Sequence, residues 1–310
     1  MRIISKEEVI ERLPYKDLIE SLRDMFASGA VAPLRHHHTM TSEGAPDSTL
    51  LLMPAWSSSS GFGGVKLVNV TPKNREIGLP SISASYLLFD EKTGQHLCLM
   101  DASEMTARRT AGASALAASY LARPDSTRLL VVGAGKVGAQ IPHAFSEKFQ
   151  FDEVLIWNRN KKNQAELVDR LNASGMNAIG ANSLENAVKT ADIISCATLT
   201  NEPIIKGEWL QSGQHIDLIG SFTPHMREVD DEAIRRSKIF VDTQAALIES
   251  GELKIPLQSG VIEESAICAS LYELCAGEKN WRTSSDITLF KSVGHAIEDL
   301  AAAMLIYQGA

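Results

Sequence analysis

The segment Leu129-Leu130-Val131-Val132-Gly133-Ala134-Gly135-Lys136-Val137-Gly138 constrains this chain more than any other. A short apolar, β-branched run leads straight into Gly-x-Gly-x-x-Gly. A helical stretch from Ala139 to Phe149 follows, then a second apolar strand, Val154-Leu155-Ile156-Trp157. In that strand–turn–helix–strand context each glycine has a task. Gly133 permits the tight turn, Gly135 lets the backbone approach a pyrophosphate, and Gly138 lets the helix pack close to the strand. Ala134 and Val137 belong to the same loop. Free N–H groups at the helix start favour phosphate. The end of the second strand, where an NAD site usually carries Asp or Glu, holds Asn158, followed by Arg159, Lys161 and Lys162. A carboxylate would repel a ribose 2′-phosphate, whereas Arg can clamp one. The pattern therefore predicts NADPH, with NADH possible, although a solvated basic turn would give the same residues.

With 310 residues the chain is long enough for two domains. Its net charge of −8 argues against nonspecific nucleic-acid binding. No apolar run reaches transmembrane length. Met1-Arg2-Ile3-Ile4-Ser5-Lys6-Glu7-Glu8 lacks a signal peptide's apolar region, so the expected compartment is the cytoplasm and no membrane partner is expected. Cys98, Cys196, Cys268 and Cys275 form no Cys-x-x-Cys pair and read as small core residues.

Residues 5–29 read as two short helices. From Ala32 to Phe89 short apolar or alternating runs separated by Pro, Gly and Ser predict strands, with a hairpin turn at Asp90–Gln95. Ser103 reads as the N-cap of an Ala-rich helix from Glu104 to Leu121. Beyond it, strands at Leu129–Val132, Glu153–Trp157, Asp192–Ala197, His215–Ile219 and Ile239–Asp242 alternate with helices, and Lys291–Tyr307 reads as a last helix. That is the pattern of a doubly wound parallel sheet.

Three cations stand in apolar or Gly/Pro settings in the first half: Arg35, Lys66 within Val65-Lys66-Leu67-Val68, and Arg109 on the Ala-rich helix. A buried cation needs an anion, so if these converge they form a site for a small carboxylate; otherwise they are unrelated surface charges. His36 and His38 would share a strand face, but two ligands without a nearby Cys or carboxylate cluster make a poor metal site. No metal is expected.

Several of these segments together resemble the ornithine cyclodeaminase/μ-crystallin family: Pro33-Leu34-Arg35-His36-His37, Gly64-Val65-Lys66-Leu67-Val68, Leu88-Phe89-Asp90-Glu91-Lys92-Thr93-Gly94, Met100 through Thr110, the glycine loop, and Asp286-Ile287-Thr288-Leu289-Phe290-Lys291-Ser292-Val293-Gly294. The resemblance implies a homodimer. A mixed α/β substrate-binding and dimerisation domain would cover 1–115, completed by a C-terminal helix, 291–310. A Rossmann domain would cover 116–290. It implies that Arg35, Lys66 and Arg109 are the substrate-carboxylate and catalytic cations, that Ser81 lines their site, and that Gly294 lies near the nicotinamide. Cyclodeaminases and alanine dehydrogenases of the family carry an Asp where this chain has Phe222, in Gly220-Ser221-Phe222. Phe cannot serve as the base that releasing an amine requires. Ile156-Trp157-Asn158-Arg159 resembles instead the NADPH-using ketimine reductases. The expected activity is reduction of Δ1-pyrroline-2-carboxylate and Δ1-piperideine-2-carboxylate to L-proline and L-pipecolate. The alternatives are ornithine cyclodeaminase, alanine dehydrogenase, or a non-catalytic NADPH-dependent ligand binder.

Overall fold

The structure is a computed structural model and describes residues 1–41, 48–277 and 280–309; residue 310 of the expected C-terminal segment lies outside them. The chain divides into two compact units, Met1–Arg109 with His295–Ala310, and Thr110–Gly294. The divisions thus fall at 109/110 and 294/295, where the sequence placed them at 115/116 and 290/291.

The first unit contains β1 (Arg2–Ile4), α1 (Lys6–Glu11), α2 (Tyr15–Ala27), β2 (His36–Met40), β3 (Ser48–Ser57), β4 (Phe62–Val70), β5 (Ile82–Asp90), β6 (His96–Asp101) and the start of α3 (Ala102–Leu121). Its strands form one sheet in the order β1-β6-β5-β4-β3-β2, antiparallel except for the β1–β6 pair. Alternation sorts the faces. Met53, Lys66, Val68, Ala84, Tyr86 and Met100 are buried on one, while Leu50, Leu52, Val65, Leu67, Leu87 and Leu99 on the other are half-buried or exposed. Asp101 caps α3: its Oδ1 accepts from the N–H groups of Ser103 and Glu104, 3.1 Å each. The helix therefore starts earlier than Ser103 suggested, because Asp is as good a cap and stands where the strand ends.

The second unit runs through β7 (Arg128–Val132), α4 (Ile141–Phe145), β8 (Glu153–Trp157), α5 (Lys161–Ala173), β9 (Ala178–Gly180), α6 (Leu184–Thr190), β10 (Ile193–Cys196), β11 (His215–Leu218), α7 (Asp231–Arg236), β12 (Ser237–Val241), α8 (Ala246–Glu249), α9 (Gly251–Gln258), β13 (Ile267–Ser270), α10 (Leu271–Cys275) and β14 (Ile287–Lys291). Its eight strands are all parallel, in the order β13-β12-β14-β11-β10-β7-β8-β9. This is a Rossmann-type sheet, and its strand order reverses between β7 and β10. Leu129–Val132 and Ile193–Cys196 are buried throughout, as a sheet covered on both faces requires.

Three expectations need correction. The helix after the glycine loop is five residues long rather than spanning 139–149: residues 136–140 are turns, and Pro142 has no N–H to continue a helical ladder from them. Lys291 does not begin the last helix. Ile287–Lys291 is a strand, buried at every position, inserted between β11 and β12, and α11 (Ala296–Gln308) follows the His295 cap into the first unit. Cys268 is exposed and Cys275 half-buried, rather than in the core. Among the described residues no helix is long and apolar enough to cross a membrane.

Candidate active site

Alternation along β4 turns Lys66 inward with Gly64 and Val68, under α11. Asp299 lies in the first turn of α11, where the helix dipole favours a carboxylate. The Lys66 ammonium lies 2.9 Å from Asp299 Oδ1 and 2.8 Å from Oδ2. Arg109, on α3, donates through Nε to the same Oδ1 at 2.9 Å and through one terminal N–H to Glu298 Oε2 at 2.6 Å. The other Glu298 oxygen accepts the His295 N–H, closing the cap of α11. All four side chains are buried. Burial, followed by the nearby Arg109 charge, lowers the Lys66 pKa to about 8 against the pull of Asp299. Burial works against the Arg109 charge too, but Asp299 and Glu298 outweigh it and hold the guanidinium protonated. Burial would raise the Asp299 carboxyl, yet Arg109 and Lys66 hold it below its ordinary value.

Arg35 is half-buried and close enough for its charge to depress Lys66 further. The neighbouring Arg108 points elsewhere, donating to the Leu13 carbonyl and lying 4.6 Å over the Tyr15 ring. Tyr86 faces Lys66 across the β4–β5 ladder, and its buried hydroxyl has no hydrogen-bond partner among the described residues. A Cβ at position 64 would stand 2.3 Å from that oxygen, so glycine there makes room for the ring. Ser81 stands before β5 with its carbonyl bonded to Thr71. It is five positions along β4 from Lys66, about 16 Å of strand, beside this centre rather than in it. The side chains of His36 and His38 are exposed on β2, with ring centroids 6.3 Å apart. No group of three or more His, Cys, Asp or Glu among the described residues could hold a metal.

The glycine loop leaves β7 at the point where strand order reverses. In open parallel sheets the crevice outside the strand ends at such a point is the usual ligand position. Gly133 has φ +113°, and a Cβ there would meet the Ala197 carbonyl at 2.7 Å. A Cβ on Gly138 would lie 2.0 Å from the Gly133 carbonyl. Gly135, by contrast, is exposed with nothing within 4 Å of its missing Cβ, so its backbone faces open space. These three positions fit a pyrophosphate. Ala134 donates to Asn158 Oδ1 at 3.2 Å, and Asn158 Nδ2 donates to the Asn160 carbonyl at 2.9 Å. Asn158 thus ties the loop to the end of β8. Val137 is a half-buried turn residue. Arg159 is exposed, while Lys161 is held by Gln164 and lies over Trp157.

The sequence reading missed Glu298 and Asp299, and it missed a second set of buried charges in the other unit. Glu228, Glu252, Asp242 and Lys291 are fully buried. Glu228 Oε1 accepts the Thr198 N–H and hydroxyl, 2.8 Å each, and Oε2 accepts the N–H groups of Gly220 at 2.8 Å and Ser221 at 3.3 Å. Glu252 accepts the Glu228 and Val229 N–H groups and the Ser221 hydroxyl. Lys291 donates to the Leu218 carbonyl. Asp242 Oδ2 holds the Val293 and Gly294 N–H groups, 2.8 Å each, and Gly294 takes φ +78°. Phe222 is 38% exposed. The missed acids sit in Glu-Asp, Arg-Glu and Gly-Glu pairs that read as solvated surface. The available signal was the deficit of anions for Lys66 and Arg109.

The profile of the ornithine cyclodeaminase/mu-crystallin family matches residues 2–310. A Δ1-pyrroline-2-carboxylate reductase of Thermococcus litoralis, solved in complex with NADH and L-proline, superposes with a TM-score of 0.94 at 36% identity, covering 100% of this chain and 97% of its own. An archaeal alanine dehydrogenase dimer with bound NAD superposes with a TM-score of 0.92 at 30% identity, covering 100% and 96%. The ketimine reductase mu-crystallin of Mus musculus is 38% identical over 83% of this chain and 79% of its own length. This chain belongs to the ornithine cyclodeaminase/mu-crystallin family.

Proposed function

We propose that the chain is a reductase of cyclic imino acids, with NADPH preferred over NADH, acting as a homodimer on Δ1-pyrroline-2-carboxylate or its six-membered homologue. The observation that carries this reading is the buried charge cluster. Lys66 and Arg109 meet Asp299 and Glu298 there, and the charge of Arg35 reaches Lys66. A substrate carboxylate placed among these cations would meet charges already drawn out of water. Arg35 and Arg109 hold the carboxylate. Lys66 keeps the ring nitrogen protonated, and its lowered pKa makes it a willing donor near neutral pH. Asp299 fixes the ammonium from behind, and the unpartnered Tyr86 hydroxyl offers a further contact on the same face. The relatives named as Δ1-pyrroline-2-carboxylate and ketimine reductases support this assignment.

The glycine loop would hold the dinucleotide pyrophosphate, and Arg159 the 2′-phosphate. When bound, the nicotinamide supplies the hydride for the imine carbon. The chain's own contribution is to bind and orient the acid and to manage one proton at Lys66 Nζ. The apolar sheet face bearing Leu50, Leu52, Leu67 and Leu87 supports pairing with a second copy. Compartment follows as the sequence expects it, the cytoplasm.

The test follows NADPH absorbance with purified protein and Δ1-pyrroline-2-carboxylate, with NADH, ornithine, and pyruvate plus ammonium in parallel. Turnover with the imine, faster with NADPH, is the expected result. Ammonia released from ornithine, or NAD-linked amination of pyruvate, without imine reduction would replace the assignment by the corresponding relative's activity. Tight NADPH binding without turnover on any of them would make the chain a binder.

A further inference from the structure

The Glu228 carboxylate joins two loops that leave the sheet at neighbouring strands. Thr198 follows β10, and Gly220 and Ser221 follow β11. Four donors from those loops converge on its two oxygens. The packing around them has no slack: a Cβ on Gly220 would stand 2.1 Å from the Thr198 carbonyl and 2.5 Å from Glu228 Oε1. On the other side of Thr198 lies the glycine loop, since a Cβ on Gly133 would meet Ala197 and Thr198. Glu252 fixes Glu228 in turn by accepting its backbone N–H at 2.8 Å. The carboxylate therefore sits under the carboxyl ends of β7, β10 and β11, around the point where strand order reverses. It cannot itself reach a ligand, being fully buried.

We propose that Glu228 is a positioning residue for the dinucleotide: its carboxylate sets the spacing of the Thr198 and Gly220 loops that wall the crevice in which the cofactor lies. The inference rests on the assignment of a dinucleotide to this unit. It adds a proton dependence. The groups facing Glu228 are Lys291 from β14, Glu252 from α9 and the Cys196 thiol from β10, with Asp217 and Asp242 also acting on Lys291. Burial, with Glu252 adding to it against Lys291, lifts the Glu228 carboxyl to about 7. Above that pH it accepts four hydrogen bonds. Below it, one oxygen carries a proton that faces N–H donors, and the loops lose their common anchor.

The experiment measures the Kd of NADH for full-length wild-type protein and Glu228→Gln between pH 6 and pH 8, with thermal melting of each. NADH lacks the 2′-phosphate, whose own ionisation would confuse the profile. Wild type is expected to bind roughly fivefold more weakly at pH 6 than at pH 8. The Gln variant, whose NH2 opposes an N–H donor, is expected to bind about tenfold more weakly at pH 8 and without pH dependence. Wild-type affinity and pH dependence in a Gln variant that merely melts lower would overturn the proposal and leave the cofactor assignment standing. Absence of any dinucleotide binding by wild type would overturn both. If Glu228→Gln does not fold, Thr198→Val, which removes one of the four donors, decides. A two- to threefold weaker Kd at an unchanged melting temperature supports the anchor, and an unchanged Kd refutes it.

Discussion

Lys66 and Arg109 in the first unit meet Asp299 and Glu298 side chain to side chain, whereas Glu228, Glu252 and Asp242 in the second turn their oxygens on backbone N–H groups. Both sets are fully buried, and both draw on residues distant in the chain. The first keeps a lysine whose proton is loosely held; the second keeps loops in place. On the proposed function, buried charge serves chemistry where the partners are ions that a ligand can join, and geometry where the partners are backbone amides. The two sets should fail differently. The largest effect is expected from Asp299→Ala, which strands the buried Lys66 ammonium and takes from Arg109 one of its two carboxylates. Removing one partner of a buried pair typically costs 3–5 kcal/mol, so chemical denaturation should show a loss of about that size. Asp299→Asn should lose less stability but still lose turnover. A loss under about 1 kcal/mol for the Ala variant would mean that the cluster is solvated and the comparison false.

Next comes Lys66→Met, which keeps the apolar stem and removes the proton. Turnover should drop by about 10²–10⁴-fold, the range of general-acid contributions, with dinucleotide affinity unchanged. In the unaltered protein the Lys66 pKa is lowered to about 8. On the proposed reading the protonated form is the donor, so kcat/KM should be level below pH 8 and fall tenfold per unit above it. Asp299→Asn removes the carboxylate that favours the ammonium and should move that limb to lower pH. A limb that stays in place would assign it to another group.

The difference between the two sets also explains what could be read beforehand. Periodicity gave five of the eight strands described in the second unit, because those are apolar runs between helices, and the glycine loop is local in sequence. Lys66 was legible as a buried cation because it interrupts an apolar strand. Its partner was not, since Asp299 lies 233 residues away and no local pattern announces the meeting. Arg108 and Arg109 are indistinguishable as neighbours, and only the fold sends one to Leu13 and the other to Asp299. The strand Ile287–Lys291 was missed because a strand inserted late in the chain between earlier ones has no signature of order. The acids of the second unit answer backbone donors that appear only once the loops are placed.

Asp217 is a useful counter-case, a buried carboxylate that feels the charge of Lys291 but makes no salt bridge among the described residues and bonds no loop amide. Burial raises it from 3.8 to about 6, against the Ser195 hydroxyl that favours its charge. The folded state therefore keeps the proton to higher pH than the unfolded chain does. Stability is lost as pH rises from about 4 to about 6, by roughly 3 kcal/mol in all. Asp217→Asn should recover about 1–3 kcal/mol at pH 8, with the gap closing near pH 4. A variant less stable at every pH would show that Asp217, like Glu228, is held by its hydrogen bonds.

The smallest effect is expected at an exposed charge. Arg159 is outside both buried sets, at the end of β8, and no fold contact depends on it among the described residues. Arg159→Ala should leave stability and NADH affinity unchanged and weaken NADPH about tenfold, near 1.4 kcal/mol. Lys162, 83% exposed on the next turn, can supply part of the same field, so the double variant should lose more than the single. Equal weakening of NADH and NADPH would move Arg159 from the 2′-phosphate to the part the two cofactors share. Discrimination would then fall to Asn158, whose side chain is already committed to Ala134 and Asn160, and which could select only by not being a carboxylate.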